Sequence, residues 1–108
     1  MNAAWITLFA AGLFEICWAV GLKYSEGFSK LLPSIFTVIT YVASVWLLGR
    51  ACRSLPIGTA YAVWTGIGAT GTAVLGILLF KEPMNPARLF FLALLVAAIA
   101  GLKLTAKS

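Results

Sequence analysis

The stretch AWITLFAAGLFEICWAVGL, residues 4–22, contains nineteen residues and a single charged side chain, that of Glu15. About 20 predominantly apolar residues in a helix cross the roughly 30 Å hydrocarbon core of a bilayer. The stretch therefore predicts a transmembrane helix that carries a carboxyl group inside the membrane.

Three further apolar runs follow, at residues 32–49, 57–80 and 87–102, and the charged residues and prolines fall mostly between the runs. The connections are too short for anything except antiparallel neighbours. The predicted fold class is therefore an all-α membrane protein, with residues 1–108 forming one four-transmembrane-helix bundle.

The composition supports lipid as the main solvent. Of the 108 residues 62% are hydrophobic and 10% are charged, whereas soluble domains carry about 25% charged residues. The net charge of +5 comes from basic residues spread thinly at helix ends, which indicates membrane-surface anchors rather than a nucleic-acid partner. Cys17 and Cys52 form neither a disulfide framework nor a metal spacing, so both are interpreted as packing residues.

Catalytic chemistry has little support in this sequence. The chain has no histidine, no cluster of metal-ligating residues, no phosphate-binding glycine loop and no nucleophile with a matching base. We expect neither an enzyme nor a bound metal or cofactor.

The basic residues are divided evenly between the two predicted membrane faces, four on each. One face carries Arg50, Arg53, Lys103 and Lys107, and the other carries Lys23, Lys30, Lys81 and Arg88. Because an excess of Lys and Arg in short loops sets orientation, a chain without such an excess can insert both ways up. Two oppositely oriented copies could then form an antiparallel homodimer, unless another signal fixes one orientation.

Glu15 is the leading candidate for function. At about 1.5 Å per residue it lies about 16 Å along the first helix, near the middle of the membrane. An ionised side chain there costs at least about 2.5–3.5 kcal/mol, and such residues usually mark ion or proton pathways. The alternative is a protonated acid that joins helices through a hydrogen bond. A carboxyl group that gains and loses a proton at this depth can exchange that proton for a cation.

Other side chains could surround Glu15. Gly12 lies one helical turn before it and Trp18 one turn after it, so the three share one stripe. Ser44, in the second run, could orient the carboxyl group by a hydrogen bond, although serines in membrane helices more often bond to the backbone.

The third run contributes aromatic residues and glycines. Tyr61 and Trp64 lie one turn apart and could line a binding site or form an interfacial aromatic belt. Gly66 and Gly68 belong to a glycine-rich segment that indicates either close helix packing or a bend between two states.

Small residues recur in the fourth run at Ala93, Ala97 and Gly101. This stripe suits close contact between helices of two subunits. By contrast, the turn Lys81-Glu82-Pro83 reads as a solvated loop with one ion pair of little energetic consequence.

The chain resembles the small multidrug resistance transporters over essentially its whole length. The strings that carry the likeness to the guanidinium-exporting branch are GLFEICW at 12–18, KYSEGF at 23–28, LPIGTAYAVWTGIG at 55–68 and FKEP at 80–83. The drug-exporting branch has small or hydroxylated residues in place of Trp18.

The resemblance implies a bacterial inner-membrane antiporter, an antiparallel dual-topology homodimer that exchanges protons for guanidinium or substituted guanidines. It implies that the two copies of Glu15 compete for both, and that Trp18, Ser44, Tyr61 and Trp64 line the site. It also implies that the glycines of the third helix are the bending point. Export of quaternary ammonium or other lipophilic cations, and a non-transporting assembly subunit, are the alternatives.

Overall fold

The computed structural model describes residues 3–105 and shows four α-helices joined by short loops. The helices are α1 (Ala3–Tyr24), α2 (Leu31–Ala51), α3 (Ile57–Phe80) and α4 (Pro86–Thr105). Each is long and apolar enough to cross a membrane, which confirms the prediction of an all-α protein with four transmembrane helices. The helices extend up to three residues beyond the apolar runs because backbone hydrogen bonding continues past the last apolar side chain. Lys107, assigned above to one membrane face, lies outside the described residues.

The helices pack in the order α2, α1, α3, α4. Helix α1 packs against both α2 and α3. Helix α4 packs along α3, and Nζ of its Lys103 also lies 5.3 Å from the ring centroid of Trp5 in α1. The fold measures 42 × 34 × 18 Å, so the four-helix bundle is flattened. Helix α4 has no buried residue.

The densest packing lies at the end of the molecule where α1 begins and α2 connects to α3. Its fully or nearly fully buried side chains are Trp5, Leu8, Ala11, Leu48, Ala51, Leu55, Ala60, Val63 and Trp64. Cys52 packs against this cluster, as interpreted from the sequence. Cys17 is exposed on α1, so the interpretation of that residue as a packing residue is wrong.

Glycines allow the helices to approach closely. A Cβ atom at Gly12 of α1 would lie 2.6 Å from Cγ2 of Ile67 of α3, and one at Gly66 would lie 2.9 Å from Ile99 of α4. Helix α3 runs without interruption through its glycines. In this conformation the glycine-rich segment therefore provides close packing, one of the two alternatives that the sequence left open.

Both loops at the opposite end are held by local hydrogen bonds. The buried hydroxyl of Ser25 donates to the carbonyl of Leu22 at 2.7 Å and accepts the N–H of Phe28 at 3.1 Å. The adjacent Gly27 has a φ of +73°, a conformation that glycine adopts without a steric penalty. The α3–α4 loop ends at Asn85, whose side-chain oxygen accepts the backbone N–H of Arg88 at 2.8 Å and caps α4.

We expect Gly12→Ala to destabilise the fold, because the new methyl group would overlap the branched Cβ region of Ile67. Overpacking of this kind costs about 1–3 kcal/mol. Thermal unfolding in detergent, followed by circular dichroism, should show a lower Tm. Gly49→Ala is the matched control, since a Cβ at Gly49 has no atom within 4 Å. Equal Tm values for the two variants would contradict this account of the α1–α3 contact.

Candidate functional site

Glu15 lies where α1 packs against α3. Its carboxyl group occupies the space that a side chain at Gly68 would fill: a Cβ there would overlap the carboxyl carbon and Oε1 and lie 2.7 Å from Cγ of Glu15. Gly68 is itself buried. Only glycine at this position leaves room for the carboxyl group between the two helices.

The Glu15 carboxyl group lacks a partner. Its Oε1 atom is buried and accepts no hydrogen bond from residues 3–105, and neither ion pair in that part of the chain includes Glu15. A buried oxygen without a donor is costly. The site can therefore gain stability from a proton, a cation or a hydrogen-bond donor.

Trp18 lies one turn beyond Glu15 and packs edge-on against Tyr41 of α2, with ring centroids 5.2 Å apart and an interplanar angle of 82°. The indole nitrogen of Trp18 is buried and has no acceptor in the described chain. The sequence analysis did not single out Tyr41. Its position opposite Trp18 depends on the rotation of α2 about its axis, which residue spacing does not reveal.

Ser44 joins three helices. Its buried hydroxyl donates to the carbonyl oxygen of Ala11 in α1 at 2.7 Å and accepts the indole N–H of Trp64 in α3 at 2.9 Å. The predicted hydrogen bond from Ser44 to Glu15 is therefore not formed in this conformation, because the hydroxyl already donates its proton to Ala11 and accepts one from Trp64. In a helix the carbonyl of Ala11 also accepts the backbone N–H of Glu15, so Ser44 fixes the turn that carries Glu15.

Tyr61 and Trp64 form an aromatic pair with centroids 5.4 Å apart, but their surroundings differ. Trp64 is 8% exposed and belongs to the core, whereas Tyr61 is 54% exposed. The structure thus brings Trp64 to Ser44 and leaves the Tyr61 ring at the surface of the chain.

The small-residue stripe of α4 is unused within the chain. Ala93, Ala97 and Gly101 are all exposed, and a Cβ at Gly101 would meet no atom within 4 Å. At 3.6 residues per turn the stripe lies opposite Ile99, which packs on Gly66 of α3. It remains available to another helix.

Two cavities adjoin the Glu15 region. We call the first the α1–α3 vestibule; it has a volume of about 380 Å³ and is lined by Ala19, Val20, Lys23, Ala69, Thr72, Ala73, Gly76, Phe80, Glu82 and Arg88. Ala19 lies one turn beyond Glu15, and Ala69 follows Gly68. The second, the α1–α2 groove, measures about 280 Å³ and is lined by Trp18, Leu22, Phe28, Thr37, Val38 and Tyr41.

The vestibule wall contains a polar side chain, Thr72, that the sequence analysis did not single out. The Thr72 hydroxyl is buried without a hydrogen-bond partner in the described chain, as is the hydroxyl of Thr70, outside the vestibule lining. Threonines in membrane helices usually bond to the preceding turn, as Thr37 and Thr40 do here. A single threonine in an apolar run gives no signal that it departs from this habit.

Four helices long and apolar enough to cross a membrane, with an unpaired carboxyl group in the first, indicate a small membrane protein of the transporter class. The model of the family described as Small Multidrug Resistance protein matches residues 3–95. The chain belongs to this family, which confirms the resemblance drawn from the sequence. It is accordingly a transporter and not an enzyme, and a multi-pass protein of the bacterial inner membrane.

Curated relatives cover nearly the whole chain. The guanidinium exporter of Yersinia pseudotuberculosis is 61% identical over 101 residues, which are 94% of this chain and 97% of the relative. The guanidinium exporter of Salmonella typhimurium is 59% identical over 103 residues, 95% and 98% of the two chains. That of Citrobacter freundii is 57% identical over 102 residues, 94% and 97% of the two chains.

The Ser44 network predicts non-additive mutations. Ser44→Ala should leave the Trp64 indole N–H buried and unpaired and cost about 1–3 kcal/mol. Adding Trp64→Phe to this variant should cost less than it does in the parent, because the unpaired donor is removed. Thermal unfolding of the two single variants and the double variant measures the coupling, with Ser34→Ala as the control. Strictly additive Tm shifts would show that the hydrogen bond contributes nothing.

Proposed function

We propose that this protein exports guanidinium in exchange for protons, with Glu15 binding either the cation or the proton. The observation that carries the proposal is the unpaired Oε1 of Glu15, which lies against Gly68 in a protein of four helices able to cross a membrane. The names of the relatives, about 60% identical over nearly their full length, supply the substrate.

The chemistry of guanidinium suits this group. The ion is planar, remains charged near neutral pH and can form two parallel charge-assisted hydrogen bonds with one carboxylate. Aromatic faces add about 0.5–2 kcal/mol each through cation–π attraction. Trp18 supplies such a face one turn from Glu15, and Trp64 and Tyr61 supply two more on α3.

Exchange follows from competition for one acid. A protonated Glu15 has no charge with which to hold a cation, so proton binding releases guanidinium and guanidinium binding releases a proton. Inward proton movement then drives outward movement of the cation, provided that the site opens to one side of the membrane at a time.

The remaining site residues have supporting roles in this proposal. Ser44 positions the turn of α1 that carries Glu15, through Ala11. Trp18 has an unpaired indole donor one turn from an unpaired carboxylate oxygen, and we propose that the two bond in another state of the transport cycle. Movement of α3 about Gly66 and Gly68 would separate Glu15 from its position against Gly68.

We further propose that the working unit is an antiparallel homodimer. The basic residues lie in equal numbers at the two predicted membrane faces, which gives no preferred orientation. Helix α4 has no buried residue and presents Ala93, Ala97 and Gly101 on its free side. Two identical subunits in opposite orientations make the inward-open and outward-open states nearly equal in energy, which suits alternating access.

The α1–α2 groove favours a second candidate cargo. It is apolar, has Trp18 at its wall and holds about 280 Å³, which is enough space for an alkyl group. Substituted guanidines or lipophilic quaternary ammonium ions could place their apolar part there. Competition of tetraphenylphosphonium against guanidinium for the purified protein separates the two cargoes: tighter binding of the bulky cation would favour multidrug export.

Proton-driven guanidinium uptake or release in liposomes should be lost in Glu15→Gln, which keeps the shape of the side chain and removes its charge. In the parent, the apparent Kd for guanidinium should rise as the pH falls, because one proton competes with one cation for Glu15. At acidic pH the rise should approach about tenfold for each unit by which the pH is lowered. Flux under an imposed pH gradient and binding by tryptophan fluorescence measure the two effects. Glu26→Gln, in the exposed α1–α2 loop, is the control.

A Glu15→Gln variant that transports and binds as the parent does would show that Glu15 is not the exchanging acid, whereas a parent without flux or cation binding would favour the non-transporting assembly subunit. Loss of flux in Glu26→Gln as well would mean that the assay reports general damage. Binding that is independent of pH would rule out exchange at Glu15.

Ala97→Leu should weaken the proposed dimer, because the larger side chain prevents close approach of two α4 helices. An overpacking cost of about 1.4 kcal/mol corresponds to a tenfold weaker association. Single-molecule photobleaching in bilayers measures the dimer fraction, with Val96→Leu, on the flank of the stripe, as the control. Tags on the termini and loops report sidedness; a single fixed orientation would contradict dual topology.

A further inference from the structure

A second carboxylate lies against a glycine of α3, at the membrane-surface end of the vestibule. A Cβ at Gly76 would overlap the carboxyl group of Glu82 and lie 2.8 Å from its Cδ. The backbone N–H of Glu82 also donates to the carbonyl of Gly76 at 3.3 Å. Gly68 and Gly76 are eight residues apart, about 12 Å of helix, so the carboxyl groups of Glu15 and Glu82 occupy successive positions along α3.

Glu82 is paired with Arg88 rather than with Lys81, its neighbour in sequence. The Nη2 atom of Arg88 donates to Oε1 of Glu82 at 2.9 Å, and the two side chains are 30% and 42% exposed. The sequence predicted a solvated loop with one ion pair, and the structure shows that the partner of Glu82 in that pair is Arg88, near the start of α4. The pair forms part of the vestibule wall.

The vestibule extends from this ion pair toward Glu15. Its wall includes Ala19, one turn from Glu15, and Thr72, midway between Gly68 and Gly76. The Thr72 hydroxyl is buried and unpaired, so rotation of this side chain into the vestibule would offer a small polar cation one hydrogen-bond acceptor between the two carboxylates.

The Arg88 side chain that binds Glu82 carries the same chemical group as the proposed cargo, since arginine ends in a guanidinium group. We propose that Glu82 is a staging site for guanidinium: an entering cation replaces the Arg88 side chain on Glu82 and then moves through the vestibule to Glu15. This proposal rests on the proposed function. It assigns a substrate-binding role to a residue outside the Glu15 site.

The energetics favour brief occupancy. A partly exposed ion pair contributes little to stability, so the Arg88 side chain leaves Glu82 readily. Lys23 lines the same cavity and lies 5.9 Å from the ring centroid of Phe80. The cavity wall therefore carries two cations, Lys23 and Arg88, and one carboxylate, Glu82, and repulsion from the two cations keeps the entering ion from remaining there. A staging site must release its ligand quickly if transport is to continue.

The decisive measurement uses protein in which the deep site has been removed. In Glu15→Gln, titration with guanidinium should produce a saturable NMR shift of the 15N-labelled Arg88 side chain as the free ion displaces it. The shift should disappear in Glu15→Gln/Glu82→Gln and should not occur with tetramethylammonium, which has no N–H donors. Adding Gly76→Ala to Glu15→Gln keeps the Glu82 charge but fills the space that its carboxyl group occupies against α3. The guanidinium concentration that gives half of the maximal shift should then rise several-fold.

The transport assay supplies the second readout. With Glu15 intact, Glu82→Gln should raise the KM for guanidinium about threefold or more while changing the maximal rate less than twofold. An Arg88 signal that does not respond to guanidinium, or responds equally in the double variant, would overturn the staging site, as would an unchanged KM. Absence of proton-driven flux in the parent would instead refute the proposed function, and the Arg88 titration would still report on Glu82 alone.

Discussion

The arrangement depends on one constraint: a carboxyl group between apolar helices has to find a partner, and the described chain does not provide one. Residues 3–105 offer Glu15 neither a cation nor a donor to its buried Oε1. A protein selected only for stability would place an apolar side chain there, since an unsatisfied buried polar atom costs about 1–3 kcal/mol. The position against Gly68 instead leaves the acid accessible to a ligand that arrives from outside the chain.

The two ends of the molecule differ in a way that suits this constraint. Beyond Glu15 in one direction lies the dense cluster around Leu8, Ala11 and Val63, held by the Ser44 hydrogen bonds. In the other direction lie the α1–α3 vestibule and the α1–α2 groove. The chain is thus closed on one side of Glu15 and open on the other. In the proposed antiparallel dimer the closed end of one copy would face the same side of the membrane as the open end of its partner.

The sequence predicted what depends on composition and helical spacing. Hydropathy located four helices, and the depth of Glu15 in the first run followed from counting residues. Contacts between helices were less accessible, because they depend on how each helix rotates about its axis. Ser44 therefore bonds to Ala11 and Trp64 instead of Glu15, and Glu82 pairs with Arg88 across the α3–α4 loop. In both cases the sequence identified a residue that forms a polar contact but not its partner, which the spacing along the chain does not reveal.

Small residues determine the closest contacts between the helices of this chain. Apolar side chains gain little by leaving lipid for one another, since lipid tails are as apolar as leucine. Association inside the membrane must come from close packing, and glycine allows the closest approach. Gly12, Gly66 and Gly68 allow this close approach between helices of the chain, and a side chain from the neighbouring helix occupies the space beside each glycine. The α4 stripe also consists of small residues and has no such neighbour among the described residues. A helix that packs on it would therefore be selected by close fit to these small residues and not by greater hydrophobicity.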